Sequence, residues 1–256
     1  RMITIKSRRE LESMKKAGDV VARVHARLGE LIAPGITTEE LNRAALEVMK
    51  QAGAIPSFLG VPCPYGGCDF PGVICASVNE VVIHGIPGAY ALQEGDILSV
   101  DVGAIVDGWH GDAARTYPVG RISTEAARLI QVTEESFVAG MRAAVPGNRI
   151  RDISEAVQKV VEGSGFTVVR EFVGHGIGTE MHEEPQIPNY TGRERGPRIA
   201  EGMTLAIEPM VNVGTWRVNV LDDKWTVVTA DGKLSAHHEN TVAVTADGPL
   251  ILTQLW

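Results

Sequence analysis

Two aspartates in the first half of the chain could be brought onto one face of a sheet by a tight hairpin. Asp101 lies in an apolar run that is typical of a buried strand, and Asp112 would lie on the returning strand. Between them, Asp107-Gly108 is the strongest short signal for a two-residue type I′ turn. This turn would pair Gly103 with Asp112, so the two aspartates would become diagonal neighbours, roughly 7–8 Å apart at the backbone.

Two carboxylates that point at the same place repel each other unless a cation lies between them. The hairpin therefore suggests a metal site. The alternative interpretation is an ordinary hairpin with two surface aspartates, and the hairpin alone does not separate the two.

Two glutamates and one histidine in the second half of the chain are further candidate metal ligands. Glu208 interrupts one apolar strand pattern, Glu239 lies in another, and His175 is flanked by glycines that would allow close approach of a ligand. Carboxylates in core strands are rarely left unpaired, and the apolar strands offer no cations for four of them. A salt bridge could explain one. Together the four carboxylates and the imidazole favour two divalent metals such as Mn, Fe, Co or Zn, which can activate water.

The composition predicts a globular protein with its own large core. The chain has 256 residues, of which 44% are hydrophobic, and a net charge of −8 without a basic run, which argues against a nucleic-acid partner. We find neither a stretch of ~18 apolar residues nor a signal peptide, so we expect no membrane association and a cytoplasmic location. Cys63, Cys68 and Cys75 are expected to be free thiols, because a zinc site would need a fourth ligand at a suitable spacing.

Local patterns predict the order of the elements. Capping boxes begin helices at Ser7 and Thr37, and a third helix is expected over residues 123–144. Residues 56–72 are rich in Pro, Gly and Cys and favour a loop with short extended pieces, whereas residues 73–83 read as a strand that is interrupted at its middle. Residues 234–244 have the pattern of a further strand.

The second half of the chain repeats the first. Pro34 recurs as Pro146, a shift of 112 residues that also superposes the apolar helix face that follows it, and His84-Gly-Ile recurs as His175-Gly-Ile. Such a repeat indicates an internal duplication.

The duplication predicts one catalytic domain over residues 1–256, with halves of about 1–120 and 121–256. Helices that cover an antiparallel sheet in each half give an α+β fold, with the site in the cleft between the halves.

Seven motifs in this order resemble those of the methionine aminopeptidases, in their short bacterial type I form. The motifs are His84-Gly-Ile-Pro87, Val100-Asp-Val-Gly103, Trp109-His-Gly-Asp112, Gly174-His-Gly-Ile-Gly178, Met181-His-Glu-Glu-Pro185, Ala206-Ile-Glu-Pro-Met210 and His238-Glu-Asn-Thr241. The resemblance runs from about residue 5 to residue 252. It implies the pita-bread fold, in which two pseudo-symmetric halves pack helices over a curved antiparallel sheet around a dinuclear site.

The resemblance also implies roles for individual residues. The expected ligands of two divalent ions (Co, Mn, Fe, Zn or Ni) are Asp101, Asp112, His175, Glu208 and Glu239. In this family Asp112 and Glu239 would contact both ions, and Glu208 would also take a proton from the attacking water. His84 and His182 match two histidines that bind the scissile amide and are not ligands, with His182 stabilising the oxyanion.

The implied activity is removal of the first methionine from peptides and nascent proteins when the second residue is small. A pocket of Phe70, Cys75, Met181 and Trp216 could accept the methionine side chain, because soft apolar walls suit a thioether, although core packing explains each residue equally well. The ribosome is a further candidate partner, and we expect a monomer.

Several residues depart from the family pattern, and several histidines have a structural interpretation. Gly103 stands where many relatives have Thr, Ala113 where they have a hydroxyl residue, and Met181 where Phe is common, so support of the metals and the pocket could differ. The adjacent His237 and His238 would face opposite sides of a strand, and we interpret both, like His25 and His110, as structural histidines.

Two other functions share these motifs. An X-Pro aminopeptidase or prolidase would use the same ligands, although such enzymes usually carry a large additional N-terminal domain. A non-catalytic relative that binds ribosomes or nascent chains would be expected to have lost ligands, and all five are present here. Simple metal storage or structural metal binding would not explain the presence of His84 and His182, which are not expected to be ligands.

Overall fold

Two pairs of helices pack over an antiparallel sheet in the computed structural model, which describes residues 2–255. The helices in this range are α1 (Arg8–Leu31), α2 (Thr38–Gln51), α3 (Thr124–Ala143) and α4 (Ile150–Gly163). The strands are β1 (Ile55–Pro56), β2 (Ile74–Val78), β3 (Val81–Ile83), β4 (Ile97–Val106), β5 (Trp109–Pro118), β6 (Thr167–Val168), β7 (Gly174–Gly176), β8 (Glu183–Ile187), β9 (Thr204–Ile207), β10 (Met210–Asn212), β11 (Val218–Val220), β12 (Val227–Thr229), β13 (Ser235–His237), β14 (Glu239–Thr245) and β15 (Gly248–Ile251).

The first two helices begin where the capping boxes predicted. The Ser7 hydroxyl accepts a hydrogen bond from the backbone N–H of Glu10, and the Glu10 carboxylate accepts one from the Ser7 N–H at 2.7 Å. Thr37 and Glu40 form the same reciprocal pair at the start of α2. Each box satisfies backbone donors that would otherwise be unpaired at the helix end, and so fixes where the helix begins.

The helix pairs repeat along the chain with the spacing expected from the sequence. α2 and α4 both have 14 residues, and the first residue of α4 lies 112 residues after the first residue of α2. Each is followed by a glycine with positive φ, at Gly53 (67°) and Gly165 (84°), a conformation that glycine adopts without strain. The backbone of the second half thus reuses the helix pair of the first.

The register of the β4–β5 hairpin is the one predicted from its turn. Gly103 pairs with Asp112 and Asp101 pairs with Ala114. The two turn residues, Asp107 and Gly108, have φ values of 51° and 81°, as a type I′ turn requires. Both aspartates therefore project from the same face of the sheet.

The main sheet has the order β1-β4-β5-β14-β9-β7-β8, and β14 lies at its centre. On one face, Val100, Val102 and Ala113 are buried in a cluster with residues of α1 and α2. Because side chains alternate along a strand, the residues between them project from the opposite face, where the two aspartates lie. The helices thus cover one side of the sheet and leave the other for the site.

The strand predicted over residues 234–244 is divided into β13 and β14. β13 pairs with β10 in a separate three-stranded sheet, whereas β14 pairs with β5 and β9 in the main sheet. The break falls at His238, whose N–H donates to the carbonyl of Pro209 at 3.2 Å. Pro209 itself separates β9 from β10, because it has no N–H to continue the ladder. Two segments of the chain thus pass from one sheet to the other here, one between β9 and β10 and the other between β13 and β14. Glu208 lies in the first of these segments.

Candidate metal centre

Neighbouring strands bring the five predicted metal ligands to one side of the sheet. Glu239, the first residue of β14, pairs with Ala114 of β5, and His175 of β7 pairs with Ala206 of β9. One potential ligand atom from each of Asp112, His175 and Glu239 lies within 4.8 Å of the others. The Nε2 atom of His175 is 3.3 Å from Oε1 of Glu208 and 3.7 Å from Oδ2 of Asp112. The arrangement therefore gathers side chains from both halves of the chain.

The carboxylates of this cluster lack the partners that buried charges need. Asp101 Oδ1, Asp112 Oδ1 and both carboxylate oxygens of Glu239 are buried, and none has a hydrogen-bond partner within the described chain. A buried polar group without a partner costs free energy, and a buried charge costs much more. Divalent cations bound by oxygen atoms would remove this cost, so the residues present fit a metal centre.

The pKa values of the carboxyl groups reflect the same burial without compensating partners. Burial, together with the neighbouring carboxylates, raises the pKa of Asp112 and of Glu239 well above the usual range. Burial does the same to the pKa of Glu208. The pKa of Asp101 rises to about 6, again chiefly through burial, with a partial opposing effect of the nearby His237. Without cations, Asp112, Glu208 and Glu239 are thus shifted towards their protonated forms, and metal ions would have to displace any protons that these groups hold.

His175 is oriented to offer a lone pair to the cluster. Its Nδ1 lies 2.8 Å from the carbonyl oxygen of Gly176, so Nδ1–H donates there and Nε2 remains available as an acceptor. Burial lowers the pKa of His175 to about 3, with a further contribution from His182, so the ring is neutral. A neutral imidazole whose other nitrogen is hydrogen-bonded is the usual form of a metal-binding histidine.

The two histidines that the resemblance assigns to the amide border the cluster. The ring of His182 lies 4.4 Å from that of His175, measured between centroids. His84 has a φ of 59°, a left-handed conformation that is strained for a non-glycine residue and is often found at functional sites. Burial lowers the pKa of both residues, that of His84 to about 4, so both rings are neutral near pH 7.

An apolar cluster lies beside His84. Phe70 and Cys75 are buried in it together with Trp225, whose ring is 5.1 Å from that of Phe70 and 6.2 Å from that of His84. Phe58 packs against the same cluster. Two of the residues predicted to form the methionine pocket, Phe70 and Cys75, are therefore neighbours.

The other two predicted pocket residues, Met181 and Trp216, lie in different places. Met181 reaches the sheet at Gly103, where a Cβ atom would be 2.8 Å from its Cε. Trp216 does not join the cluster of Phe70 and Cys75. Its ring instead packs against the guanidinium groups of Arg170 and Arg217, at 4.8 and 4.9 Å. The tryptophan beside His84 is Trp225, which the sequence analysis missed.

The sequence contains a signal for the position of Trp225. The carboxylate of Asp223 accepts hydrogen bonds from the N–H groups of Trp225 and Thr226, at 2.9 and 2.8 Å, a local turn that aspartate favours. The indole N–H then donates to the carbonyl of Cys68 at 2.8 Å. Asp222-Asp223 before a tryptophan thus indicates a turn that fixes the ring.

His237 also lies closer to the centre than its interpretation as a structural histidine implied. Its Nε2 is 3.6 Å from Oε2 of Glu208, and with Glu239 these residues form a second group whose potential ligand atoms lie within 4.8 Å of one another. His25, by contrast, has both ring nitrogens hydrogen-bonded, to the Tyr117 hydroxyl at 2.8 Å and the Ala113 carbonyl at 2.9 Å. Its environment is that of a histidine held within the core.

Comparison with known proteins gives a consistent result. The model of metallopeptidase family M24 matches residues 12–246. The chain is 54% identical to a methionine aminopeptidase of Clostridium perfringens, over 98% of this chain and 99% of that protein. It is 52% identical to methionine aminopeptidase 1 of Bacillus subtilis, over 99% of this chain and 100% of that one.

Solved structures extend the comparison to the fold. The crystal structure of a methionine aminopeptidase from Thermotoga maritima has a TM-score of 0.94 and 45% identity, with 99% of this chain and 100% of that chain covered. A prolidase from Pyrococcus furiosus has a TM-score of 0.77 at 22% identity and covers 98% of this chain and 66% of its own, which shows a shared fold. Among the described residues, no helix has the length and apolar character needed to traverse a bilayer.

Proposed function

The chain belongs to metallopeptidase family M24, and from this premise we propose that it is a methionine aminopeptidase that removes the first residue of peptides and nascent proteins. The observation that carries the proposal is the group of four carboxylates, two buried (Asp112 and Glu239) and two half-buried (Asp101 and Glu208), beside a neutral His175 whose Nε2 is available as a ligand. Residues 1–256 would form a single catalytic domain, with the site between halves of about 1–120 and 121–256.

We assign two divalent ions to this centre, drawn from Co, Mn, Fe, Zn and Ni. The residues that would hold them are Asp101, Asp112, His175, Glu208 and Glu239. When bound, such ions lower the pKa of water towards neutrality and polarise a carbonyl group. The unpartnered buried oxygens of Asp101, Asp112 and Glu239 support the assignment of these residues as ligands.

The remaining chemistry falls to three side chains. Burial raises the pKa of Glu208, so its carboxylate is a stronger base than that of an exposed glutamate. With metal bound in place of its own proton, Glu208 would accept a proton from the attacking water and pass it to the leaving amine. The neutral His182 can donate an N–H to the carbonyl oxygen as negative charge develops there. His84, held in its left-handed conformation beside the apolar cluster, would bind the amide of the scissile bond.

We infer that the methionine side chain enters the cluster of Phe70, Cys75 and Trp225. The cluster is apolar, and sulfur makes favourable contacts with aromatic rings. Met181 would form part of the opposite wall. In such a pocket one methylene is worth about 1–3 kcal/mol, which limits how strongly shorter or longer side chains are rejected.

The cellular setting is part of the proposal. Nascent chains are the expected substrates, with the ribosome as a candidate partner, the protein acting as a monomer in the cytoplasm. The three cysteines, which form no disulfide among the described residues, are compatible with a reducing compartment.

Peptide cleavage with the metal varied would test the function. We expect cleavage of Met-Ala-Ser, poor cleavage of Met-Leu-Ser and acceptance of norleucine in place of methionine. Gly-Pro and Ala-Pro peptides should be cleaved poorly. Preference for residues before proline would instead assign the chain to the X-Pro branch. Absence of all cleavage from protein that binds two metal ions would indicate a non-catalytic relative.

A further inference from the structure

Glu208 lies between two imidazoles. Oε1 is 3.3 Å from Nε2 of His175, and Oε2 is 3.6 Å from Nε2 of His237. The two histidines differ in what their rings can do. His175 donates through Nδ1 to the Gly176 carbonyl, so its Nε2 has no proton to offer Glu208. The contact at Oε1 therefore needs a cation or a proton on Glu208 between the two atoms, whereas Oε2 can accept a hydrogen bond from His237.

His237 is held in place by groups outside the proposed ligand set. Its backbone N–H donates to the hydroxyl of Thr116 at 2.9 Å, and the same hydroxyl donates to its carbonyl at 2.9 Å. Its Cα is also paired with that of Met210 between β13 and β10. Two strands thus fix the residue before the chain turns into β14, and they direct the ring towards the carboxylates.

The ring of His237 is as deeply buried as any at the centre. The residue is 2% exposed, and Nε2 finds no hydrogen-bond partner among residues 2–255. An unsatisfied buried nitrogen costs free energy, and Oε2 of Glu208 lies a few tenths of an ångström beyond hydrogen-bond length. A small adjustment of either side chain satisfies both atoms.

We propose that His237 is a positioning residue of the metal centre, which donates its Nε2–H to Oε2 of Glu208 and thereby directs Oε1 towards Nε2 of His175, where the two atoms would hold an ion. The inference rests on the metal centre of the proposed function and is independent of peptide specificity. Hydrogen bonds to ligating carboxylates fix their orientation, and their removal typically lowers metal affinity 10–100-fold.

Metal binding to the full chain, stripped with a chelator and titrated with Co²⁺ by calorimetry, tests this role. His237→Leu should raise the Kd 10–100-fold. His237→Gln places an amide N–H on the same strand and should recover most of the affinity, whereas the shorter His237→Asn should not. The matched control is His238→Leu, because the next side chain projects from the opposite face, where its ring lies 5.0 Å from that of Phe137. It should stay within about threefold of the original chain.

The outcomes separate positioning from its alternatives. Unchanged affinity in both His237→Leu and His237→Asn would overturn the proposal, and the second variant decides if the first does not fold. If His237→Gln fails to recover affinity and the Co²⁺ absorption spectrum loses a nitrogen ligand, His237 binds metal directly and the positioning role is wrong. If the unmodified chain binds no Co²⁺, the proposed metal centre fails instead, so the two failures are distinguishable.

Discussion

Replacement of Asp101 by asparagine should stabilise the metal-free protein at neutral pH. Oδ1 of Asp101 is buried without a partner among the described residues, and asparagine has the same shape without the charge. Burial raises the pKa of this carboxyl to about 6, with an opposing effect of His237 and a reinforcing effect of Glu208. The folded state therefore holds the proton of Asp101 more tightly than the unfolded chain does.

The size of the effect follows from the two pKa values. A rise from 3.8 to about 6 corresponds to about 3 kcal/mol, at ~1.4 kcal/mol for each pKa unit. Because the folded pKa is raised, the folded state binds more protons between these values, and the stability of the unmodified protein falls as the pH rises through this window. The advantage of Asp101→Asn should thus be near zero at about pH 4 and reach about 3 kcal/mol at about pH 7.

Urea unfolding of chelator-treated protein across this pH range would measure the difference. Asp107→Asn, an exposed change at the turn of the same hairpin, serves as the matched control. An advantage that is independent of pH, or that is largest in acid, would refute the reasoning. Divalent metal added at about 1,000 times its Kd should reverse the order of stability at pH 7. At that excess a ligand stabilises the native state by about 4.1 kcal/mol, and Asp101→Asn removes a proposed ligand.

Three further substitutions probe the division of roles. His182→Ala should leave the metal content nearly intact while turnover falls roughly 10²–10³-fold, so loss of metal in this variant would make His182 a ligand. Asp112→Ala should abolish the two-metal stoichiometry measured by elemental analysis, and full activity in it would contradict the assigned site. Gly103→Thr would place a Cβ 2.8 Å from Cε of Met181 and 2.9 Å from Cε1 of Phe58, and overpacking of this kind costs about 1–3 kcal/mol. Urea unfolding should show that loss and its partial recovery on adding Met181→Ala.

The sequence predicted those features that short segments determine by themselves. Asp107-Gly108 fixed the register of the hairpin and so the common face of Asp101 and Asp112, because a two-residue turn leaves one pairing. The capping box at Ser7 located the start of α1 for a similar reason, since its two hydrogen bonds involve only neighbouring residues.

Features that depend on pairing between distant strands were missed. His237 and Glu239 belong to one apparent strand in the sequence, but they lie in different sheets because the chain turns at His238. At that turn the N–H of His238 donates to the carbonyl of Pro209. The hydrophobic periodicity of the sequence does not predict that these two distant residues are close in space. Trp225 was missed in favour of Trp216 because both are isolated tryptophans in a region of short strands.

The repeat in the sequence accounts for similar backbone features of the two halves but not for the chemistry of the site. Gly85 and Gly176, which follow the repeated histidines, both lie against a neighbouring backbone: a Cβ would be 2.1 Å from the Ala76 carbonyl oxygen in one and 2.2 Å from that of Glu184 in the other.

The two histidines of the repeat nevertheless differ in backbone conformation. His84 follows β3 with a φ of 59°, and its ring lies among aromatic residues, whereas His175 lies within β7 and contacts the carboxylates. A repeat in sequence thus predicts equivalent places in the fold, and the local backbone then decides which ring meets a carboxylate. This asymmetry is consistent with the different roles proposed for the two histidines, His175 as a metal ligand and His84 as the residue that binds the amide.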